Sequence, residues 1–313
     1  MIYVLGSINN EIVLELERMP KKGESTVAEG GDIRLGGKGF NQAVAIAKMK
    51  KREEKNSPTV KLIAQVGNDA IGDEAKRILD SYGVDTAFVR SVRRPTGTVV
   101  TTVAKKDKRT VVYGGANSNI SKTDIDEALA SATSEDTLLC QLDCPLYVVM
   151  YALSKAHALG MTTILNPAPA KFIPDDVYCN VDVIVPNAEE AHVLTGINPV
   201  DFQAQKSAMQ FFHAHGVQYV VITLGDNGCS LSDGAYIVSH IPPRKTEVVD
   251  RTCVGDTFVG ALAVTYPRIG MYSFEEACVF AGKAAAIALA REGGIESIPA
   301  MSEVVDMYNR IIK

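Results

Sequence analysis

The hydrophobic and polar positions of this chain follow two spacings that alternate along almost its whole length. Six short apolar segments are rich in Val, Ile and Leu, a composition typical of buried parallel strands. They are residues 3–6, 61–66, 138–142, 162–165, 181–185 and 219–224. Helical spacing separates them, and in segment 71–82 one helix face carries Ile71, Ala75, Ile78, Leu79 and Tyr82.

The same helical spacing recurs between the other apolar segments. It predicts helices at 41–50, 146–159, 188–195, 202–215, 256–266, 274–291 and 302–312. Strands that alternate with helices predict an α/β fold, with a parallel sheet covered by helices on both faces.

Two segments, 11–34 and 95–113, break this alternation. Both have extended patterns, such as Val99-Val100-Thr101-Thr102-Val103, and neither contains a helical repeat. We interpret them as a small β-layer attached to the main sheet, and such appendages often act as lids. The charged run 48–55 is interpreted as a helix end followed by a solvated loop.

Composition and charge narrow the class of protein. The 313 residues are 46% hydrophobic and 22% charged, so the chain can bury a large core. A net charge of −5 argues against a surface that neutralises nucleic-acid phosphates. No run approaches the roughly 20 apolar residues of a membrane span, and the start of the chain enters a strand without a basic leader. Six dispersed cysteines favour a reducing compartment, so we expect a cytoplasmic enzyme.

The segment 250–261 carries the strongest chemical signal. Val248 and Val249 are predicted to end a strand, and helical spacing begins at Asp256. A glycine at such a turn allows the N–H groups of Val254, Gly255 and Asp256 to converge on an anion, with the positive end of the helix dipole behind them. A carboxylate beside bound phosphate suits a base that takes a proton from a hydroxyl group. The alternative interpretation makes Asp256 an ordinary residue of a first helical turn.

Three other turns are weaker signals when each is taken alone. The glycine turn at 36–43 would let a ligand approach the backbone near Lys38 and Asn41, but a plain glycine turn at a helix start explains it equally. The turn at 223–228 fits a nucleotide loop or simple chain reversal. Asn187 and Glu190 follow a strand directly, where they also match a capping box.

Other catalytic chemistries find no support in the sequence. The five histidines form no HExxH arrangement, Cys140 and Cys144 have no partner pair for zinc, and no GxSxG motif provides a hydrolase nucleophile.

Taken together and in order, these motifs resemble the ribokinase family of carbohydrate kinases, the PfkB group. The resemblance covers essentially the whole chain. The motifs are Gly6-Ser7-Ile8-Asn9, Gly36-Gly37-Lys38-Gly39-x-Asn41-Gln42-Ala43, Gly114-Gly115-Ala116-Asn117, Leu165-Asn166-Pro167-Ala168-Pro169-Ala170, Pro186-Asn187-x-x-Glu190 and Asp250 followed by Gly255-Asp256-Thr257-Phe258. The family's fold implies one three-layer α/β/α domain over 1–313 with a small β-sheet lid, and lids that pair to make a homodimer.

The resemblance also implies a role for each matching residue. Asp256 would be the base, and the amides of Val254 and Gly255 would complete the anion hole. The sugar would contact Asn9, Glu11, Gly37, Lys38, Gly39, Asn41, Asp143 and Asp256. The nucleotide would contact Asn187, Thr223, Gly225, Asp226, Gly228 and Gly255.

Two metal ions are implied as well, with ATP as co-substrate. Glu190 would be linked to Mg²⁺ and phosphate. A monovalent cation, potassium, would shape the anion hole without touching the substrate. Its site would draw on Asp250, Thr252, Ala288, Arg291, Gly293 and Ser297.

Four positions depart from the family pattern. Glu11 stands where an Asp is usual, Asp143 where a Glu is usual, and Cys253-Val254 where small residues are usual. Phe40 replaces an Ala and would add a ring to the wall of the sugar pocket. Backbone amides survive the change at Cys253, and the changes at Glu11 and Asp143 can compensate each other.

The leading expectation is a kinase that transfers the γ-phosphoryl group of ATP to the primary hydroxyl of a pentose, D-ribose. One alternative keeps the chemistry and changes the acceptor to deoxyribose, fructose or a nucleoside. Another is a catalytically weak sugar or nucleotide sensor. The partners expected are therefore small molecules, with no nucleic acid and no membrane.

Overall fold

A computed structural model of the chain describes residues 1–49, 59–105, 107–233, 238–244, 246–266 and 273–309. Within these residues the strands are β1 (Ile2–Leu5), β2 (Asn9–Glu15), β3 (Gly30–Gly36), β4 (Val60–Gly67), β5 (Val89–Val92), β6 (Gly97–Ala104), β7 (Asp107–Tyr113), β8 (Thr137–Gln141), β9 (Thr162–Asn166), β10 (Val183–Ile184), β11 (Tyr219–Thr223), β12 (Cys229–Ser232) and β13 (Val238–Ile241). The α-helices are α1 (Lys38–Lys48), α2 (Ala70–Ser81), α3 (Lys122–Ala128), α4 (Leu146–Ala158), α5 (Ala188–Thr195), α6 (Phe202–Ala214), α7 (Val254–Thr265), α8 (Phe274–Leu289) and α9 (Met301–Asn309).

Nine of the described strands form the central sheet in the order β13-β12-β11-β10-β9-β8-β1-β4-β5. Every pair from β11 to β5 is parallel, whereas β12 and β13 add an antiparallel edge. The predicted parallel sheet is therefore confirmed. Because the carboxyl ends of parallel strands meet at one edge, the polar residues that follow them are brought together there.

Helices cover both faces of this sheet, and β1 shows how the sequence produces that arrangement. Ile2 and Val4 belong to one hydrophobic cluster, which includes residues of α1, α7 and α8. Tyr3 and Leu5 belong to the other, which includes residues of α4 and α6. Alternate side chains of a strand point to opposite faces, so this continuous apolar run needs a helical layer on each side.

The two interrupting segments form a second sheet in the order β3-β2-β6-β7. β2 pairs antiparallel with β3 and parallel with β6, and β7 pairs antiparallel with β6. The predicted small β-layer is confirmed, although its strands are of mixed direction.

Some elements differ from the sequence predictions. The strand predicted to end at Val248 and Val249 is wrong, because both residues lie half-exposed in irregular chain and β13 ends at Ile241. The strand predicted at 181–185 shortens to β10, and the helix predicted from Asp256 begins two residues earlier. The spacing of apolar residues did not predict α3, β5, β12 and β13, because these elements are short or lie at sheet edges.

Two predictions fall partly beyond the described residues. α1 ends at Lys48, as expected for the start of the charged run, and residues 50–55 lie outside the described part. The same holds for 310–312 of the last helix. In the portion of the chain that is described, no helix combines the length and apolarity needed to cross a bilayer.

Candidate active site

The start of α7 forms the centre of the site. Its N-cap is Cys253, held in the left-handed region at φ 59°, and the helix runs from Val254. The first N–H groups of a helix have no acceptor inside it, so those of Val254, Gly255 and Asp256 are available to a ligand. A non-glycine residue in this conformation costs about 1–2 kcal/mol. Burial raises the pKa of the Cys253 thiol, which keeps the thiol protonated.

Two amides hold the Asp256 carboxylate. Asn41 Nδ2 donates to Oδ2 at 2.9 Å, and Gln42 Nε2 donates to Oδ1 at 2.9 Å. Gln42 is itself held by Gln141, whose Nε2 donates to its Oε1 at 2.6 Å, and it donates to Asn166 Oδ1 at 3.1 Å. Gln141 and Asn166 end β8 and β9, so the edge of the central sheet fixes the orientation of Asp256.

The glycine turn before α1 brings this helix close to the first strand. Gly37, the N-cap, has φ 99°, and a Cβ there would lie 2.7 Å from the carbonyl oxygen of Ser7. A Cβ on Gly39 would lie 2.6 Å from the Cα of Gly6. Only glycine allows this approach, which places Asn41 and Gln42 opposite Asp256.

A group of polar residues lies near Asp256, in the segment between β1 and β2, on β2 itself and just after β8. Ser7 Oγ donates to Asp143 Oδ2, and Gly37 N–H donates to Glu11 Oε1 at 3.0 Å. Asn9 is held by Asn117, whose Nδ2 donates to its Oδ1 at 2.8 Å.

Two oxygens of this group, Asn41 Oδ1 and Asp143 Oδ1, are buried and have no hydrogen-bond partner among the described residues. Buried oxygens of this kind normally accept hydrogen bonds. A ligand rich in hydroxyl groups would supply those donors.

Lys38 lies within the field of several carboxylates. Burial by itself lowers the pKa of its ammonium group, but these carboxylates outweigh burial and leave the pKa raised. They are the carboxylates of Asp256, Asp143, Glu190 and Glu11. For the last three, burial raises the pKa, and Lys38 partly opposes that rise. The site therefore concentrates negative charge around the half-buried ammonium group of Lys38.

A cleft of about 720 Å³ opens on the other side of the α7 start. All six predicted nucleotide residues line it: Asn187, Thr223, Gly225, Asp226, Gly228 and Gly255. Its wall also includes apolar residues that the sequence interpretation missed, among them Ile241, Phe258 and Ala286. Asp226 forms a two-point ion pair with Arg251, at 3.0 and 2.9 Å, across the mouth of the cleft. An apolar cleft that ends at free helix N–H groups fits a base and its phosphates.

Asn187 and Glu190 form the capping box that was the alternative interpretation of their motif. Asn187 Oδ1 accepts from Glu190 N–H at 2.8 Å, and Glu190 Oε2 accepts from Asn187 N–H at 2.8 Å. A carboxylate has further acceptor positions, so capping α5 leaves Glu190 able to meet a metal-bound water.

Three residues of the predicted cation site, Asp250, Thr252 and Gly293, contact one another near the end of α8. Asp250 accepts from the N–H and Oγ1 of Thr252 at 2.8 and 2.7 Å, and from Gly293 N–H at 3.3 Å. These hydrogen bonds outweigh the effect of burial and lower the pKa of Asp250, so its carboxylate stays ionised. Carboxylate, carbonyl and hydroxyl oxygens suit a hard cation such as potassium, and the carbonyl end of a helix favours positive charge. The chemistry of these residues therefore fits the ion.

The structure corrects the expectation for Phe40. Its ring is 0% exposed and belongs to the hydrophobic cluster between α1 and the sheet, so it does not form a wall of the sugar pocket. Asn41 and Gln42, the next two residues of α1, face Asp256, so the side chain of Phe40 lies on the opposite face of the helix.

Five polar residues of the site were absent from the predicted set, although all but Gln141 stand inside quoted motifs. They are Ser7, Gln42, Asn117, Gln141 and Asn166. Gln141 could have been found as a polar residue at the carboxyl end of a predicted parallel strand.

Comparison with known proteins relates this arrangement to a family. The family profile described as "pfkB family carbohydrate kinase" matches residues 1–301. A ribokinase of Haemophilus influenzae is 35% identical over 97% of this chain and 96% of its own length. A deoxyribokinase of Salmonella typhi is 31% identical over 96% of each. The structure of Arabidopsis thaliana ribokinase complexed with ribose and ATP superposes with a TM-score of 0.87 at 29% identity, over 98% of this chain and 97% of that one.

Proposed function

Because this chain belongs to the pfkB family of carbohydrate kinases, we propose that it transfers the γ-phosphoryl group of ATP to the primary hydroxyl of D-ribose. The observation that carries the proposal is the position of Asp256. Asn41 holds its carboxylate beside the polar residues of the site, and the preceding residue, Gly255, lines the cleft. Ribokinases of several organisms align over nearly the whole chain, which supports ribose as the acceptor.

The proposed step needs one base and one anion hole. The sugar hydroxyl gives its proton to the Asp256 carboxylate as its oxygen attacks the γ-phosphorus. The new O–P bond forms while the bond from that phosphorus to the β,γ-bridging oxygen breaks, and ADP leaves. The N–H groups of Val254, Gly255 and Asp256 hold the transferring group, whose charge they stabilise. Closure of the small sheet over the sugar excludes water, which would otherwise accept the phosphoryl group.

We assign the two ions by the chemistry of their candidate residues. Glu190 would meet Mg²⁺, which neutralises phosphate charge when bound with the nucleotide. Within the described parts of the chain, no three His, Cys, Asp or Glu side chains gather as a metal site, which suits an ion carried mainly by phosphates and water. Asp250 and the oxygens near Thr252, Ala288, Arg291, Gly293 and Ser297 would hold potassium.

We also propose a homodimer formed through the small sheet. Ile33, Ile12, Val100 and Val111 stand in register across its four strands. This apolar row lies on the face opposite Glu11 and Arg34, because alternate residues of a strand face opposite sides. Ile33 and Val111 are 70% and 71% exposed, an arrangement that favours burial against a second copy.

We also propose a cytoplasmic location. The six cysteines of the chain are all unpaired, which supports this location because the cytoplasm keeps thiols reduced.

Deoxyribose is the second candidate acceptor. It rests on a relative called deoxyribokinase and on Glu11, the longer carboxylate at a position where the family usually has Asp. A site that hydrogen-bonds a hydroxyl discriminates strongly against a sugar that lacks it, so the two sugars are readily distinguished by rate. The buried ring of Phe40 removes the main reason to expect a stacked nucleoside.

The test is ADP release with Mg²⁺ and ATP, with and without potassium, across ribose, deoxyribose, fructose and several nucleosides. We expect the highest kcat/KM with ribose. Asp256→Asn should lower kcat by at least about 100-fold and leave nucleotide binding intact. Asp73→Asn, which changes an exposed acidic residue of α2, should keep most of the activity.

Two results would contradict the proposal. Turnover of another sugar alone would retire ribose as the substrate. Nucleotide binding without turnover of any acceptor would favour the sensor.

A further inference from the structure

One arginine of the small sheet reaches the segment that precedes the anion-binding turn. Arg34 lies on β3 directly opposite Glu11 on β2, and both side chains share the face turned away from the exposed apolar row. Arg34 Nη2 donates to Thr252 Oγ1 at 3.0 Å, and Nη1 lies 4.0 Å from Asp250 Oδ2. The contact joins residues 218 positions apart in the chain.

Thr252 is the residue through which this contact acts on α7. Its N–H and hydroxyl are both bonded to Asp250, and it immediately precedes Cys253, the left-handed residue from which the helix starts. The direction of the first N–H groups of α7 depends on these two residues. A side chain that fixes the position of Thr252 therefore also fixes the direction of the N–H groups that form the anion hole.

At its other end, Arg34 faces Glu11 across an incomplete contact. Arg34 Nε lies 3.9 Å from Glu11 Oε2, too far for a hydrogen bond. This nitrogen is buried and has no hydrogen-bond partner among the described residues, while the whole side chain is 23% exposed. A buried donor without an acceptor is costly, so a small approach of Glu11 would be favourable.

We propose that Arg34 is a positioning residue that couples sugar binding at Glu11 to the geometry of the anion hole. This inference rests on the proposed function. A sugar bound at Glu11 draws the small sheet inward, Arg34 closes its contact with Glu11, and its other end fixes Thr252 and the start of α7. Phosphoryl transfer is then fast only when the sugar is in place.

The contact of Arg34 with Asp32 does not account for its position. Asp32 is 57% exposed at its side chain and lies 3.2 Å from Nη1, and exposed pairs of this kind contribute little to stability. Asp32 therefore provides a matched control, because its removal leaves the contacts with Glu11 and Thr252 unchanged.

The experiment compares Arg34→Gln, Thr252→Val, the double variant and Asp32→Asn. We measure ADP release with ribose, ADP release without sugar, and the dissociation constant of ADP. The two single variants should each lower ribose-dependent kcat by about 10-fold, through misplacement of the anion hole, and Arg34→Gln should leave sugar-independent release and ADP binding unchanged. The double variant should be close to Thr252→Val alone, because Thr252→Val already removes the hydrogen bond that Arg34 donates, together with the one to Asp250.

A second measurement separates positioning from support of the fold. Hydrogen exchange of the amides at 252–256 is followed in the full chain with ADP, before and after addition of ribose. Ribose should slow this exchange in the wild-type protein and in Asp32→Asn, but not in Arg34→Gln. Arg34→Lys keeps the charge and should restore part of the ribose-dependent rate, because its single ammonium reaches one of the two partners.

Each contrary result shows whether the coupling role of Arg34 or the proposed function is wrong. If wild-type protein phosphorylates ribose and Arg34→Gln does so at the same rate, the coupling role is wrong and the proposed function stands. The coupling role is also wrong if the effects of the two single variants multiply, or if ribose slows exchange equally in Arg34→Gln. Absence of turnover with every acceptor in the wild-type protein would instead overturn the proposed function.

Discussion

Gln42 Nε2 donates a 2.9 Å hydrogen bond to Oδ1 of Asp256, although the two residues lie 214 positions apart in the chain. Gln42 is fully buried and takes a second hydrogen bond from Gln141. Its amide therefore cannot rotate without breaking both contacts. The proposed base is thus held by the first helix and by the edge of the central sheet.

Replacing Gln42 should affect both catalysis and stability. Gln42→Leu removes the donor to Asp256, and we expect kcat to fall by about 10-fold with little change in the ribose KM. The free energy of unfolding should fall by about 1–3 kcal/mol, because Gln141 and Asn166 lose a buried partner. Steady-state kinetics and urea unfolding measure the two effects.

Gln141→Leu is the control for this experiment, since it disturbs the same network but leaves the contact between Gln42 and Asp256 in place. It should lose stability and keep most of kcat. Equal loss of kcat in both variants would show that Gln42 acts only as support for the core.

Gly255 should tolerate a methyl group structurally but not catalytically. A Cβ at this position would meet no atom within 4 Å, so Gly255→Ala should fold normally. Its stability should stay the same or rise by about 0.5–1 kcal/mol, because Ala is the better helix former. The methyl group would stand before the N–H groups of α7, and we expect kcat to fall by about 100-fold, as when an anion hole is disturbed.

Gly282→Ala is the matched variant, because Gly282 also lines the cleft and also has open space around it. It lies on α8, away from the anion hole, so it should raise the KM for ATP and leave kcat nearly unchanged. Thermal unfolding and kinetics of both variants check the prediction. If Gly255→Ala kept the wild-type kcat, the transferring phosphoryl group would not bind at the N–H groups of α7.

Glu11 makes stability depend on pH. Burial raises its pKa, so the ionised carboxylate costs the folded state free energy at neutral pH. Glu11→Gln removes that cost, and its amide oxygen can still accept from Gly37. The variant should melt at a higher temperature than wild type above the raised pKa. This gain should vanish as pH falls through that pKa toward about 4.3, the ordinary value for Glu.

The same substitution should weaken ribose binding, because a neutral amide accepts hydrogen bonds less strongly than a carboxylate. Melting temperatures from pH 4 to 8 and the ribose KM at pH 7 give the two measurements. A gain in stability that persisted at pH 4 would show that Glu11 is not the titrating group responsible.

The apolar row on the small sheet should hold two copies of the chain together. Val111→Glu places a charge in the proposed interface, and we expect sedimentation to find monomers. Val200→Glu changes a residue that is 75% exposed far from this sheet, and it should remain a dimer. Wild-type protein that sediments as a monomer would contradict the proposal.

Local pattern alone was enough to predict much of the fold. The alternation of apolar runs with helical spacing predicted the parallel sheet, and the two extended segments predicted the second sheet. The fold predictions succeed because strand and helix periodicities are properties of neighbouring residues. The assignment of six residues to the nucleotide came from the family resemblance, and the structure brings all six to the wall of one cleft.

Where the pattern was weak, prediction failed for a physical reason. Val248 and Val249 are apolar and β-branched, as strand residues often are, yet Val249 N–H donates to the carbonyl oxygen of Leu289, at the end of α8, at 2.9 Å. Phe40 was placed in the sugar pocket from its position in a motif. The face of α1 on which it falls decides that it packs in the core instead.

By itself, the sequence determined the order of the elements and the chemical character of the turns, because both depend on residues that are close in the chain. Only the tertiary structure decided which distant side chains meet. Gln42 reaches Asp256 and Arg34 reaches Thr252 because the crossovers of a parallel sheet bring separate strand ends and loops to one edge. The spacing of residues along the chain does not predict these contacts, because the packing of the helices and sheets against one another sets them.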